Sequence, residues 1–147
     1  MGKLADLAPT SPGYANLSVA DAFDWAASTD DLPIGDFYLV AFRSVRRAGV
    51  DEATLTAYDE RAHLEAESAP GFLHYLKGPL AADRTCLSFC LWTDRAHARA
   101  AAARSAHREA VALTAAMYER YELAYVRVWR EVRGGVLQFA PYAATGG

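Results

Sequence analysis

The sequence predicts an α+β domain in which a four-stranded antiparallel sheet carries two helices on one face, in the ferredoxin-like order β-α-β-β-α-β. Three observations predict it. Segments rich in β-branched and aromatic residues recur at Phe37–Arg47, Phe72–Lys77, Thr85–Trp92 and Glu122–Val132. Helical periodicity fills the intervals between the first and second and between the third and fourth. Between the second and third stands only the loop Gly78–Arg84, which opens Gly78-Pro79. The 147 residues, 52% hydrophobic and 22% charged, suffice for one core and need no second domain. Residues 1–36 read as an arm with an extra N-terminal helix, 37–132 as the main domain and 133–147 as a tail.

In chain order, residues 1–17 hold Pro9, Ser11, Pro12 and Gly13 among few large apolar groups and read as a loosely held arm. Ser18-Val19-Ala20-Asp21 is a capping box with Asp in place of Glu, and it opens a helix over Val19–Ser28. That helix places Val19, Ala22, Phe23 and Ala26 on one side and leaves Trp25 off the stripe, to pack elsewhere or on a partner. Thr29–Gly35 is turn-rich and leads into the first strand.

Gly49 breaks that strand and Asp51 caps a helix from Glu52 to Ser68. Its inner stripe is Leu55, Tyr58, Ala62 and Ala66. Glu52, Thr56, Asp59, Glu60, His63 and Glu67 gather on the other side. Pro70-Gly71 ends it. In the third strand Cys86, Ser88, Cys90 and Trp92 share one face while Leu87, Phe89 and Leu91 share the other.

Thr93-Asp94 then caps a long helix to Tyr118, with Ala96, Ala100, Ala103, His107, Ala110, Val111, Thr114 and Tyr118 on one face. After the fourth strand, Gly134-Gly135 is a stop. Val136–Tyr142 forms a short edge strand or reaches a partner, and Ala143–Gly147 is a frayed end. With both helices on one face, Leu87, Phe89 and Leu91 would leave the opposite face apolar and bare. Sheet-to-sheet homodimerisation is the expected cover.

A net charge of -3 and a pI near 5.8 provide no basic field for nucleic acid or an anionic membrane, Arg43, Arg46 and Arg47 being a local cluster only. Cys86 and Cys90 would lie about 13 Å apart on an extended strand, beyond disulfide reach. No signal segment or spanning stretch is present, so a soluble cytoplasmic protein is expected. No phosphate loop, zinc spacing or nucleophile elbow appears.

The alanine- and threonine-rich stripe around His107 is too small to fill the space between helix and sheet, which predicts a cavity containing an imidazole able to act as base, acid or ligand. Trp92, at a strand end facing that helix, is the candidate wall. Arg43, a charge in an apolar strand, either meets an anionic ligand or is salt-bridged at a dimer rim. His74 points either into the pocket or into the dimer interior. Tyr38, Tyr118 and Tyr121 are candidate phenol donors. His63, flanked by Asp59 and Glu67, reads as part of a solvated network. His97 and His107, about 15 Å apart along a helix, cannot share a metal.

Pro70-Gly71-Phe72, then Leu91-Trp92-Thr93-Asp94 entering an Ala/Arg-rich helix, then His107, resemble the antibiotic biosynthesis monooxygenase-like family of dimeric α+β barrels, over roughly Phe37–Val132. The resemblance implies a pocket between helices and sheet in each subunit of a homodimer. It also implies cofactor-independent oxygenation of an aromatic or polyketide-like substrate, Trp92 matching the strand-end Trp of quinone-forming members and His107 the helix His of haem-degrading ones; these two are the catalytic candidates, and Arg43, His74, Tyr38 and Tyr118 are the substrate-binding candidates by their own chemistry. The first strand reads Val40-Ala41-Phe42-Arg43 where quinone-forming members carry an Asn. The alternatives are a non-oxidative cyclase, isomerase or decarboxylase, a haem protein ligated by His107, and a non-catalytic dimeric binding module.

Overall fold

The computed structural model describes residues 3–133 and 135–142. Its elements are α1 (Val19–Ala22), β1 (Gly35–Arg46), α2 (Glu52–Glu67), β2 (Phe72–Leu76), β3 (Thr85–Trp92), α3 (Arg95–Ala102), α4 (Ser105–Ala112), α5 (Thr114–Met117), β4 (Tyr118–Arg130) and β5 (Gln138–Pro141). The strands form one antiparallel sheet in the order β2-β3-β1-β4-β5. The β-α-β-β-α-β order stands. The strand count is corrected from four to five, because Gln138–Pro141 pairs with Val126–Trp129 and covers the β4 edge. The expected frayed end, 143–147, lies outside the described residues, as does Gly134 of the expected stop.

Residues 1–17 are not a loose arm in their described part. Leu4, Leu7, Tyr14 and Ala15 are buried in one cluster with Val19, Phe23, Trp25 and Leu32, against Phe37, Leu39 and Ala41 of β1, Leu87, Phe89 and Leu91 of β3, and Val128 of β4. The segment thus covers the sheet face from which homodimerisation was inferred. The face is apolar, as expected, but its cover comes from the same chain.

Polar ties hold the segment in place. Arg43 donates to the carbonyls of Ala15 (2.7 Å) and Leu17 (2.6 Å), and Tyr14 Oη donates to the Pro79 carbonyl at 2.6 Å. Buried Arg130 donates to the carbonyls of Thr29 (3.0 Å) and Leu32 (2.7 Å) and to Thr29 Oγ1 (2.8 Å).

The expected helix Val19–Ser28 is shorter than its periodicity suggests. Ser18 caps it through Asp21 N–H at 3.3 Å, yet after Ala22 the chain turns extended at Phe23 and bridges Pro9. Thr10 N–H bonds the Ala22 carbonyl and Asp24 N–H bonds that of Ala8, so backbone groups a helix would use are taken by the preceding segment. A separate 3-10 turn, Trp25–Ala27, follows.

The long helix expected from Asp94 to Tyr118 is three helices. Arg104 is extended (φ -73°, ψ 157°), and Glu65 of α2 receives the Ala106 N–H at 3.2 Å, capping the new helix from outside. The break rotates the stripe. Ala98 and Ala101 are buried on α3 while Ala96, Ala100 and Ala103 are exposed; His107, Ala110, Val111 and Thr114 keep the expected face. Tyr118 belongs to β4, which begins four residues before the expected Glu122 because Tyr118 pairs with Arg46.

Candidate active site

The remaining sheet face and the helices enclose a cavity of about 240 Å³. Alternation along β1 turns Tyr38, Val40, Phe42, Ser44 and Arg46 toward it, and β3 contributes Cys86, Ser88, Cys90 and Trp92. Tyr75 from β2 and Tyr121, Leu123 and Tyr125 from β4 complete the floor. The roof is Ala62 and Ala66 of α2, Ala98 and Ala101 of α3, and His107 and Ala110 of α4. Alanines at these roof positions leave the space that longer apolar side chains would fill.

Aromatic rings dominate the wall. Phe72 meets Trp92 edge-on at 5.5 Å, Tyr38 stacks on Tyr125 at 6.1 Å, and Tyr118 lies 5.1 Å from Tyr121. Burial, with Asp59 nearby, pushes the Tyr118 phenol up to about 12. Burial likewise raises Tyr75 and Tyr121, and it raises Tyr38 against the opposing hydrogen bond from Arg95. These hydroxyls are therefore neutral donors at physiological pH. The Cys90 thiol does not supply a nucleophile, being pushed up to about 12 by burial.

Of the residues expected at the site, His107, Trp92, Tyr38, Tyr118 and Tyr121 line one cavity. Arg43 does not. It is on the opposite face of β1, tied to the Ala15 and Leu17 carbonyls, because odd-numbered residues of this strand face the N-terminal segment. His74 is also on that face, its ring 6.2 Å from Phe89. Arg46 takes the place expected of Arg43, its guanidinium 3.1 Å from Glu52 at the cavity's end. Alternation from Tyr38 would have selected it.

His63 is a second correction. It lines the cavity with Asp59, its ring 4.5 Å from Tyr75 and its Nε2 3.0 Å from Glu67 Oε1. The charged side of α2 was read as solvated. Asp59, Ala62, His63 and Ala66 stand at i, i+3, i+4 and i+7 on one helix face, hidden in the sequence because half of it is polar.

Burial lowers the His107 pKa, opposed by the Ala102 backbone and the Glu65 charge, so the imidazole is neutral at physiological pH. Among the described residues, His107 Nδ1, Glu65 Oε1 and Arg46 Nε are enclosed without hydrogen-bond partners. No group of three or more His, Cys, Asp and Glu residues among those described could hold a metal ion. Among the described residues no helix is long and apolar enough to cross a membrane.

A family model described as PB2B2.08-like matches residues 2–140. No curated protein matches the chain in sequence. Among solved structures, SnoaB, a cofactor-independent oxygenase from Streptomyces nogalater, is similar at a TM-score of 0.50 and 18% identity, over 61% of this chain and 89% of its own. A Chloroflexus aurantiacus protein assigned to the antibiotic biosynthesis monooxygenases gives 0.50 and 18%, over 60% and 89%. Protein SO0527 from Shewanella oneidensis gives 0.55 and 13%, over 63% and 90%. At such identities the likeness is one of fold.

Proposed function

The chain belongs to the PB2B2.08-like family, and we propose that it is an oxygenase that takes a small fused-ring phenol into the helix–sheet cavity and oxidises it with molecular oxygen, without metal or flavin. The observation that carries this reading is His107, an imidazole held neutral by burial in a cavity walled by Trp92 and tyrosines. A neutral imidazole beside an aromatic guest is a general base for a phenol. The fold shared with SnoaB, itself a cofactor-independent oxygenase, supports the same reading.

His107 would take the phenolic proton. The electron-rich phenolate then gives two electrons to oxygen as a ring carbon–oxygen bond forms, leaving a peroxide on that carbon. Loss of the carbon's hydrogen as a proton, with cleavage of the O–O bond, makes the second carbonyl and releases water. One phenol and one oxygen molecule yield one quinone and one water. The protein supplies the base, a water-poor cavity and neutral tyrosine donors for the developing oxyanions.

Oxygen uptake with 1-naphthol and with hydroxylated anthrones tests the proposal. Stoichiometric uptake with quinone formation, reduced about 10²-fold or more in a folded His107→Ala variant, is the expected result. No uptake with any such phenol would refute the oxygenase; full uptake by the variant would remove His107 from it.

A further inference from the structure

The reaction just described takes one proton from the phenol and one from the ring carbon and delivers two to the departing peroxide oxygen, and His107 accounts for the two that are taken. We propose that His63, oriented by Glu67, is the proton donor to the departing oxygen, so that the site works with two imidazoles in different roles. The proposal rests on the oxygenase reading.

Three observations carry it. His63 lines the same cavity as His107, from the neighbouring helix. Helices α2 and α4 run side by side, with Arg61 paired to Glu109 and Glu65 Oε2 accepting the Ala106 N–H, which places the two histidines' helices in register over one floor. His63 Nε2 is 3.0 Å from Glu67 Oε1, one helical turn on, an arrangement that fixes the ring and balances its charge when protonated. With Nε2 committed to Glu67, Nδ1 carries the transferable proton.

The two rings differ in surroundings. His107 has an enclosed Nδ1 without a partner and only Glu65 as a nearby charge. Around His63 stand Glu67 and Asp59 on its own helix and Tyr75 and Lys77 from the β2 edge, Lys77 being 3.4 Å from Asp59; His74 acts on it from the far face. The base is dry and the acid sits beside a carboxylate.

In the step assigned to it, protonated His63 gives its Nδ1 proton to the oxygen leaving the peroxide as the O–O bond breaks. Before that, His107 returns the phenolic proton to the same peroxide oxygen, so that this oxygen leaves as water carrying one proton from each histidine, and the neutral His107 then takes the ring carbon's proton as the second carbonyl forms. His63 is then reprotonated by the proton held on His107, through solvent.

The test is kcat for oxygen uptake with 1-naphthol, together with the ring peroxide that accumulates beside the quinone, for the wild type, His63→Gln and Glu67→Gln, each checked for folding by circular dichroism. His63→Gln should lower kcat about 10²-fold and let the peroxide accumulate, since its O–O bond then breaks without the proton donor. Glu67→Gln, which keeps the donor but loosens its ring, should accumulate the peroxide to a lesser extent, and this variant carries the test if His63→Gln fails to fold. Unaltered kcat without peroxide in the folded variants overturns the role of His63 while leaving the oxygenase intact. A wild type that takes up no oxygen overturns both.

Discussion

The indole of Trp25 lies 5.1 Å from the ring of Phe89, and its Nε1 donates to the Val19 carbonyl at 2.9 Å. One residue from the N-terminal segment and one from the centre of the sheet thus share a core. Phe89 is fully buried and Trp25 is 5% exposed. Trp25→Ala is expected to cost about 3–5 kcal/mol, as large aromatic truncations in cores do. Urea unfolding of the two proteins measures it; a loss under about 1 kcal/mol would mean that the segment is not part of the cooperative unit.

The same cover predicts the state of assembly. With the outer face buried by its own chain, the protein should sediment at its 16.0 kDa monomer mass. Replacing Phe23 and Trp25 together by Ala should bare Phe89 and its neighbours and produce concentration-dependent self-association. Sedimentation velocity of both proteins decides it, and a wild-type dimer would contradict the expectation.

Acid should weaken the fold as two half-buried histidines gain protons. Burial lowers the folded-state pKa of both His74 and His107, so the unfolded chain binds protons more readily below the ordinary value of 6.5. Their contribution is complete above that value and is lost as pH falls through it toward the lower folded-state values. The urea midpoint should fall between about pH 7 and 5, and His74→Gln, distant from the cavity, should flatten the slope.

Gly71, in the turn between α2 and β2, has φ +81°, and a Cβ there would stand 2.5 Å from His97 Cγ and 2.7 Å from Thr93 Oγ1. His97 in turn bonds Asp94, the α3 cap, through backbone and ring at 2.9 and 2.8 Å. Gly71→Ala should therefore destabilise by more than about 1 kcal/mol through backbone strain and displacement of that cap. Thermal unfolding would show a lowered midpoint, and an unchanged midpoint would refute the account.

Ala101 is buried on the cavity roof. Ala101→Leu should fill space without distorting the helix, leaving the fold at least as stable while weakening 1-naphthol binding about tenfold or more. Fluorescence titration and thermal melts together check this. Undiminished binding would move the ligand site elsewhere.

How far the sequence could be read depended on whether a signal was local. The faces of β3 were legible because Cys86, Ser88, Cys90 and Trp92 alternate strictly with Leu87, Phe89 and Leu91, and His107 was legible because small residues surround it on one stripe. The break at Arg104 was not, since no glycine or proline marks it and the cap comes from Glu65, thirty-nine positions earlier and on another helix. The inward position of His63 is not legible, because charge on a helix face ordinarily signals solvent, while here a polar cavity turns Asp59 and His63 inward. Arg43 was misplaced by one residue of strand phase, which sends a side chain to the opposite face. The N-terminal segment misled most, because sparse anchors such as Leu4, Leu7 and Tyr14 bury themselves without any periodicity.

That segment also bears on behaviour at low protein concentration. A sheet face covered by a second molecule is bared on dilution, whereas a cover joined to the sheet by its own chain acts at a fixed effective concentration, millimolar for short connections. The floor beneath the cavity should therefore remain intact, and ligand affinity constant, however far the protein is diluted.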